Sequence, residues 1–258
     1  MNIKEMHDLF RVVGQQVGMQ LVRGILPAHI DSFINIEINE TIKNELLINA
    51  NTVLPDSVNL QSITLNPINA FRTLYRKDVF EVANKDYFSI IDNHYKFILP
   101  NETNVKHGIG NIANITNKIN SMLYLGFNIQ YEGVNKFTSC RLIGASVLES
   151  TLKDFCNGAD KENPISVLMG ETDTYNGTSY NKEYVEFYTN SITDKINKIS
   201  VSYIKNPNIV KWDNDDTKCV NCDLPEYMHY NIVNGAVNRY LLSINSQPTT
   251  SNNVKNNN

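Results

Sequence analysis

Apolar side chains recur at every fourth position in two stretches near the ends of this chain, and at alternate positions through much of its middle. Ile3, Met6, Phe10, Val13, Val17, Leu21 and Val22 share one side at helical spacing, which predicts a first helix from Ile3 to Arg23. Gly24 ends it, and Pro27, whose missing N–H is harmless in a first turn, opens a second. There Ile30, Ile34, Ile38, Ile42 and Leu46 repeat every four residues up to about Asn49, with Phe33 and Leu47 widening the stripe. So short a link implies an antiparallel helical hairpin over residues 1–50. Gly14 and Gly18 either let another backbone approach the first helix or simply weaken it.

The strongest helical signal comes last, over residues 223–245. Leu224, Met228, Ile232, Ala236 and Tyr240 form one row, and Val233, Val237, Leu241 and Ile244 run beside it. The opposite face, with Glu226, Tyr230, Asn231, Asn234, Asn238 and Arg239, offers hydrogen bonds and little charge. Pro225 and Glu226 both suit a first turn. Asp223 is a candidate cap, a position left open because Leu224 would have to be helical directly before a proline.

Between these helices the period changes. Residues 51–67 read as connector and Ile68 to Tyr75 as a short helix. Val79 to Val82 then reads as a strand, and Tyr87 to Leu99 as a hairpin turning at Asp92, Asn93 and His94. Further strands are expected at Met122 to Glu132, Phe137 to Ile143, Ile165 to Met169, Tyr184 to Tyr188 and Ile199 to Ile204, with a helix from Ser146 to Phe155. In the last strand Val201 and Tyr203 alternate with Ser200 and Ser202.

Strands that do not alternate regularly with helices argue against a doubly wound parallel sheet. The expected class is α+β: the N-terminal hairpin and the C-terminal helix packed as a helical bundle, with a β-rich, mostly antiparallel region over residues 51–222. Residues 246–258, with a single apolar side chain, read as a flexible tail.

Composition narrows the function classes. The 258 residues suffice for one large domain or two modest ones. A net charge of −4 argues against gripping nucleic-acid phosphates over a broad face, while suiting a passage through which DNA slides without sticking. No apolar run approaches the ~20 residues that span a bilayer, and the N-terminus lacks the layout of a signal peptide, so a cytosol-like compartment is expected. Asparagine fills about one position in seven, well above ordinary usage. The sequons beginning at Asn39, Asn101, Asn114 and Asn176 follow from that abundance by chance.

Candidate chemistry is sparse. There is no phosphate-binding glycine motif, no dinucleotide fingerprint and no H-E-x-x-H. His7, His29, His94, His107 and His229 are scattered over different elements. Cys219 and Cys222 have the spacing of half a zinc site or of a redox pair, but Cys140 and Cys156 stand alone upstream. Ordinary partly buried thiols are the favoured reading, and a metal-binding enzyme using Cys219 and Cys222 is the alternative. Asp213, Asn214, Asp215 and Asp216 form an acidic turn without the glycine and glutamate of a calcium loop. No catalytic, cofactor or metal residue is expected. The candidate residues are those of packing and assembly: Phe10, Val13, Val17, Ile30, Ile34, Ile38, Ile42, Leu224, Met228, Ile232, Val233, Val237, Tyr240 and Leu241.

Two segments resemble a known group. The run from Ile199 to Pro207, the acidic loop, and Leu224-Pro225-Glu226-Tyr227-Met228-His229 leading into Ile232, Val233, Ala236 and Val237 form a closing pattern. It resembles virion proteins of phages that infect Bacteroidetes, the crAss-like phages among them. Phe10 to Gly18, then Leu26-Pro27-Ala28-His29-Ile30-Asp31 with Asn35 and Asn39, is similar to the same group. The likeness covers roughly the first and last fifty residues and leaves the middle unmatched.

That resemblance implies a head-to-tail connector or tail ring protein of a short-tailed phage, with no catalytic residues to carry over. It implies a homo-oligomeric ring of about twelve copies, matching the dodecameric portal on which such adaptors dock and closed by cyclic symmetry. The implied partners are the portal protein and other tail ring proteins, with DNA passing through the channel without sequence-specific binding and no membrane contact. The implied location is the virion, at the head-tail junction, after assembly in the host cytoplasm. Another virion part, such as a capsid accessory, a tail-tube component or packaged cargo, is a further reading.

Overall fold

The computed structural model describes residues 1–16, 24–51, 71–82, 87–106, 118–190, 193 and 195–245. In chain order they form helices α1 (Ile3–Gln16) and α2 (Pro27–Asn51), then strands β1 (Tyr75–Glu81), β2 (Phe88–Ile91) and β3 (His94–Ile98). Helix α3 (Glu102–Lys106), strands β4 (Ser121–Tyr131), β5 (Thr138–Ser139) and β6 (Arg141–Ile143), and helix α4 (Leu148–Lys153) follow. Strands β7 (Ile165–Tyr175), β8 (Thr178–Tyr188) and β9 (Ile196–Lys205) precede the last helix, α5 (Glu226–Asn245). The class is α+β with mostly antiparallel strands. Residues 1–47 and 207–258 make one compact unit and residues 48–206 another. Residues 207–222, which the sequence reading places with the strands, thus belong with the helices.

In the first unit, α1 begins with a reciprocal cap. The Asn2 Oδ1 accepts from the Glu5 N–H at 2.8 Å and a Glu5 carboxylate oxygen accepts from the Asn2 N–H at 3.0 Å. Two otherwise orphaned donors are satisfied at once. The helix is described to Gln16, so the expected extension over residues 17–23 lies outside the described residues. α2 opens at Pro27 as its sequence requires. The apolar rows meet: Ile3, Met6 and Phe10 of α1, Ile30, Ile34, Ile38 and Ile42 of α2, and Met228, Ile232, Val233, Ala236 and Val237 of α5 are all buried. Tyr240 takes the edge of Phe33 at 5.4 Å and lies 6.0 Å from Phe10, touching both other helices. The Glu37 side chain of α2 lies directly over Gly235 of α5, where an added Cβ would collide with it. Asp223, the candidate cap, directs its carboxylate to the Asn208 N–H and side-chain amide.

The second unit is a sandwich of two sheets. Four strands run in the order β1-β9-β4-β5 and five in the order β2-β3-β8-β7-β6, all neighbours being antiparallel except β6 with β7. Strand alternation decides what lies between them. Tyr95 and Phe97 of β3 and Val185 and Phe187 of β8 point inward, against Phe80, Phe127, Ile129, Ile199, Val201 and Tyr203 of the other sheet. Phe80 meets Phe97 at 5.8 Å, and Phe127 meets Phe187 edge-on at 6.1 Å. Register shifts within β4, at Ser121/Leu123 and Tyr124/Gly126, bend that strand and loosen its first half, where every residue is half-exposed. On the far face of the five-stranded sheet, Leu148 of α4 covers Ile165 and Val167 in a small second core.

Several expectations are corrected here. Tyr75 does not end a helix but starts β1, opposite Ile204. The stretch from Phe137 to Ile143 is split between sheets, Thr138–Ser139 in one and Arg141–Ile143 in the other. Phe155 lies beyond α4 and is fully exposed rather than on its apolar side. Ser200 is buried although it alternates with Val201, whereas Ser202 on the same face is half-exposed. β7 and β8 are eleven residues each and form one long hairpin through Asn176 and Gly177, both left-handed at φ 49° and +79°. Gly177→Ala is therefore expected to lower the stability of this unit by about 1–2 kcal/mol. Urea unfolding followed by circular dichroism would read it, and an unchanged midpoint would contradict the turn assignment.

Candidate functional site

The residues singled out for packing and assembly divide cleanly. Phe10, Ile30, Ile34, Ile38, Ile42, Leu224, Met228, Ile232, Val233 and Val237 are buried within the helical unit itself, where each apolar side chain contributes about 1.5–3 kcal/mol. Val13, Tyr240 and Leu241 are half-buried at its margin. Val17 lies outside the described residues. The apolar side chains this unit leaves exposed are others, among them Leu26, Ile36, Tyr227, Tyr230 and Leu242.

Beside the α2 stripe lies a polar clamp that the apolar periodicity does not reveal. Asp31 and Asn35 are one turn apart, so both face the same neighbour. That neighbour is the extended chain at residues 210–212. Asn35 exchanges two hydrogen bonds with the Val210 backbone, donating to its C=O at 2.9 Å and accepting from its N–H at 2.8 Å. Asp31 accepts from the Trp212 N–H at 3.1 and 3.2 Å and from His7 Nε2 at 2.7 Å. His7 is buried and lies parallel to the Trp212 ring, 5.9 Å between centroids. Its other nitrogen, Nδ1, is buried with no hydrogen-bond partner among the described residues.

The electrostatics of the clamp follow from burial. Loss of solvent pushes the His7 pKa below its ordinary 6.5, and Arg11 adds to this. Asp31 and, more weakly, Asp8 act the other way without reversing it. The neutral imidazole donating from Nε2 is thus the resting form. Asn35 and Asp31 thereby satisfy the Val210 and Trp212 backbone, while Lys211 between them pairs with Val220 in an antiparallel bridge. The sequence signal was the pair Asp31 and Asn35 at helical spacing beside buried isoleucines. Both residues also stand in the segment that carries the resemblance.

Cys219 and Cys222 do not converge on a site. The Cys219 thiol donates to the Asp213 carbonyl and its sulfur accepts from the Asp213 N–H, each at 3.3 Å. Burial pushes the Cys222 thiol up to about 11, away from the thiolate that ligation and redox exchange need. Among the described residues no three of His, Cys, Asp and Glu are grouped to hold a metal ion. In the acidic turn, Asp213 and Asp215 accept from backbone N–H groups two residues onward. Among the described residues, no helix is long and apolar enough to cross a membrane.

Two cavities of the sandwich unit are lined by described residues. One of about 510 Å³ is bordered by the β2–β3 turn, Phe155, Asp160, Tyr188 and Asn190. The other, about 340 Å³, opens between the sheets at the loosened half of β4 and is lined by Met122, Tyr124, Leu142, Leu168 and Glu183. On the first, the Asn157 side-chain amide and then the Cys156 N–H hold the Asp154 carboxyl below the usual range, and the Asn163 N–H and side chain do so for Asp160. The Tyr124 hydroxyl on the second is pushed up to about 12, chiefly by burial. No family model matches the chain, and no curated protein matches it in sequence.

Proposed function

We propose that this chain is a structural subunit of a phage head-to-tail connector or tail ring, docking on the portal and surrounding a channel for DNA. What supports the reading most is that residues 1–47 and 207–258, which hold the matching positions other than Ile199 to Asn206 in and just after β9, make a single compact unit. Within it Asp31 and Asn35 of one matching segment grip residues 210–212, which lie between the Ile199 to Pro207 run and the acidic loop of the other. A shared architecture, rather than two chance likenesses, would leave that trace. Ring closure by cyclic symmetry requires two different complementary surfaces on each copy. Exposed Tyr227 and Tyr230 near the start of α5, and Leu26 and Ile36 on or before α2, are among the apolar side chains available for them. The negative net charge suits a wall past which DNA moves.

Native mass spectrometry of the purified chain, alone and mixed with the portal ring of its own genome, tests this. The expected result is a closed assembly of about a dozen copies, or a portal saturated by that many chains. A chain that neither closes a ring nor binds the portal would redirect the reading to another virion part. Stoichiometric zinc in elemental analysis would instead favour the metal-binding alternative at Cys219 and Cys222.

A further inference from the structure

The free edge of β2 differs from the other sheet edges among the described residues. β1 carries Arg76, Lys77, Asp78 and Glu81, while β5 has two residues and β6 three. Charge and shortness are how edges resist pairing with another chain. β2 is longer than β5 or β6 and has no charge, reading Phe88-Ser89-Ile90-Ile91. Ile90 is 51% exposed and Ile91 39%. Phe80 of edge strand β1 packs on Phe97 of β3, while Ile90, on the same face as its partner Tyr95, is left half-exposed at the end of the five-stranded sheet.

Hydrogen-bond parity decides which backbone groups are free. The Ile98 N–H donates to the Tyr87 carbonyl at 2.8 Å, and these two residues are directly opposed. Alternation along the ladder makes Ser89 with Lys96, and Ile91 with His94, bonded pairs of the same kind. The N–H and C=O groups of Phe88 and Ile90 therefore point away from β3, into the free edge. Such an edge is complementary to itself. If two copies meet antiparallel with Ser89 opposite Ser89, each Phe88 faces the other copy's Ile90, and all four backbone pairs close at once. Phe88 is already braced by stacking on Tyr95 at 5.6 Å. Aromatic and β-branched neighbours across strands stabilise such a pair, and small serines on the axis neither clash nor repel.

We propose that β2 pairs with β2 of a second copy of this chain, in antiparallel register centred on Ser89, joining the two five-stranded sheets edge to edge. The contact is a two-fold one and needs neither portal nor ring, so it stands whether or not the connector reading does.

The register makes the test specific. Directly opposed residues that do not share backbone hydrogen bonds have Cα atoms about 4.5 Å apart, within the span a disulfide bridges. In a Cys156→Ser background, Ser89→Cys is expected to give a disulfide-linked dimer on mild oxidation. Thr178→Cys, exposed at the β7–β8 turn, should not. Without oxidation, native mass spectrometry at micromolar concentration should show dimer, and Ile90→Lys should weaken it by on the order of tenfold or more at an unchanged melting midpoint. Monomer at every concentration, equal cross-linking at residues 89 and 178, or a dimer indifferent to Ile90→Lys would each overturn the proposal.

Discussion

Phe97→Ala is expected to lower the stability of the sandwich unit by roughly 3–5 kcal/mol, the usual loss for an aromatic removed from a packed core. Phe97 has no exposed surface. Its ring lies 5.8 Å from Phe80 on the opposite sheet and 5.9 Å from Tyr87 beside its own strand. Truncation would open a void where the two sheets meet, and neither backbone can close it, because each is held by its ladder. Against a total stability of about 5–15 kcal/mol for a domain, that loss would leave the unit near its unfolding threshold. Urea titration should show a lower midpoint with an unchanged slope. Glu149→Ala, at an exposed position on α4, should move it by no more than about 0.5 kcal/mol. A loss below about 1 kcal/mol at Phe97 would mean that the sheets are not packed through it.

Asp31→Ala should cost about 3 kcal/mol or more in the helical unit. It removes a carboxylate that accepts from His7 and from the Trp212 N–H, and hydrogen bonds to charged groups contribute about 1.5–3 kcal/mol each. Asp31→Asn keeps an acceptor and should cost less. Trp212 is the chain's single tryptophan, so its fluorescence follows this unit selectively. A pH dependence accompanies the clamp. His7 protonates near 6.5 when unfolded and only at lower pH when folded. Below about pH 6.5 the unfolded chain therefore binds more protons, and stability falls as pH falls. The stabilising contribution is full above that range and lost beneath it. His7→Phe should flatten this slope, and because Asp31 raises the His7 pKa, Asp31→Asn should move the onset no lower and steepen the loss. A wild-type profile flat from pH 7 to 5 would contradict the buried neutral imidazole.

The helices were legible where period and punctuation agreed. Ile30, Ile34, Ile38 and Ile42 form a stripe that only a helix can bury on one side, and Pro27 marks its start. The β2–β3 hairpin was legible for the same reason, since Asp92 and Asn93 tolerate the left-handed conformations that its turn requires, at φ 42° and 75°. The β7–β8 hairpin was missed in spite of Asn176-Gly177, a strong turn signal. Its outer half, from Gly170 to Lys182, is polar on both faces, and alternation cannot be seen where neither side is apolar. The clamp was missed because Asp31 and Asn35 look like solvent-facing helix positions until the chain at residues 210–212 is laid across them.

By itself, then, the sequence determined part of the local structure: where α2 and α5 run, which face each buries, and where the first hairpin turns. Those outcomes depend on residues within a few positions of one another. Only the tertiary structure decided that β1 pairs with β9 and β3 with β8, that the two sheets stack, and that Asp31 is enclosed with His7 and Trp212. Each joins residues separated by tens to more than a hundred positions. Burial, hydrogen-bond saturation and a shifted pKa are properties of such a meeting, carried by neither partner's local sequence.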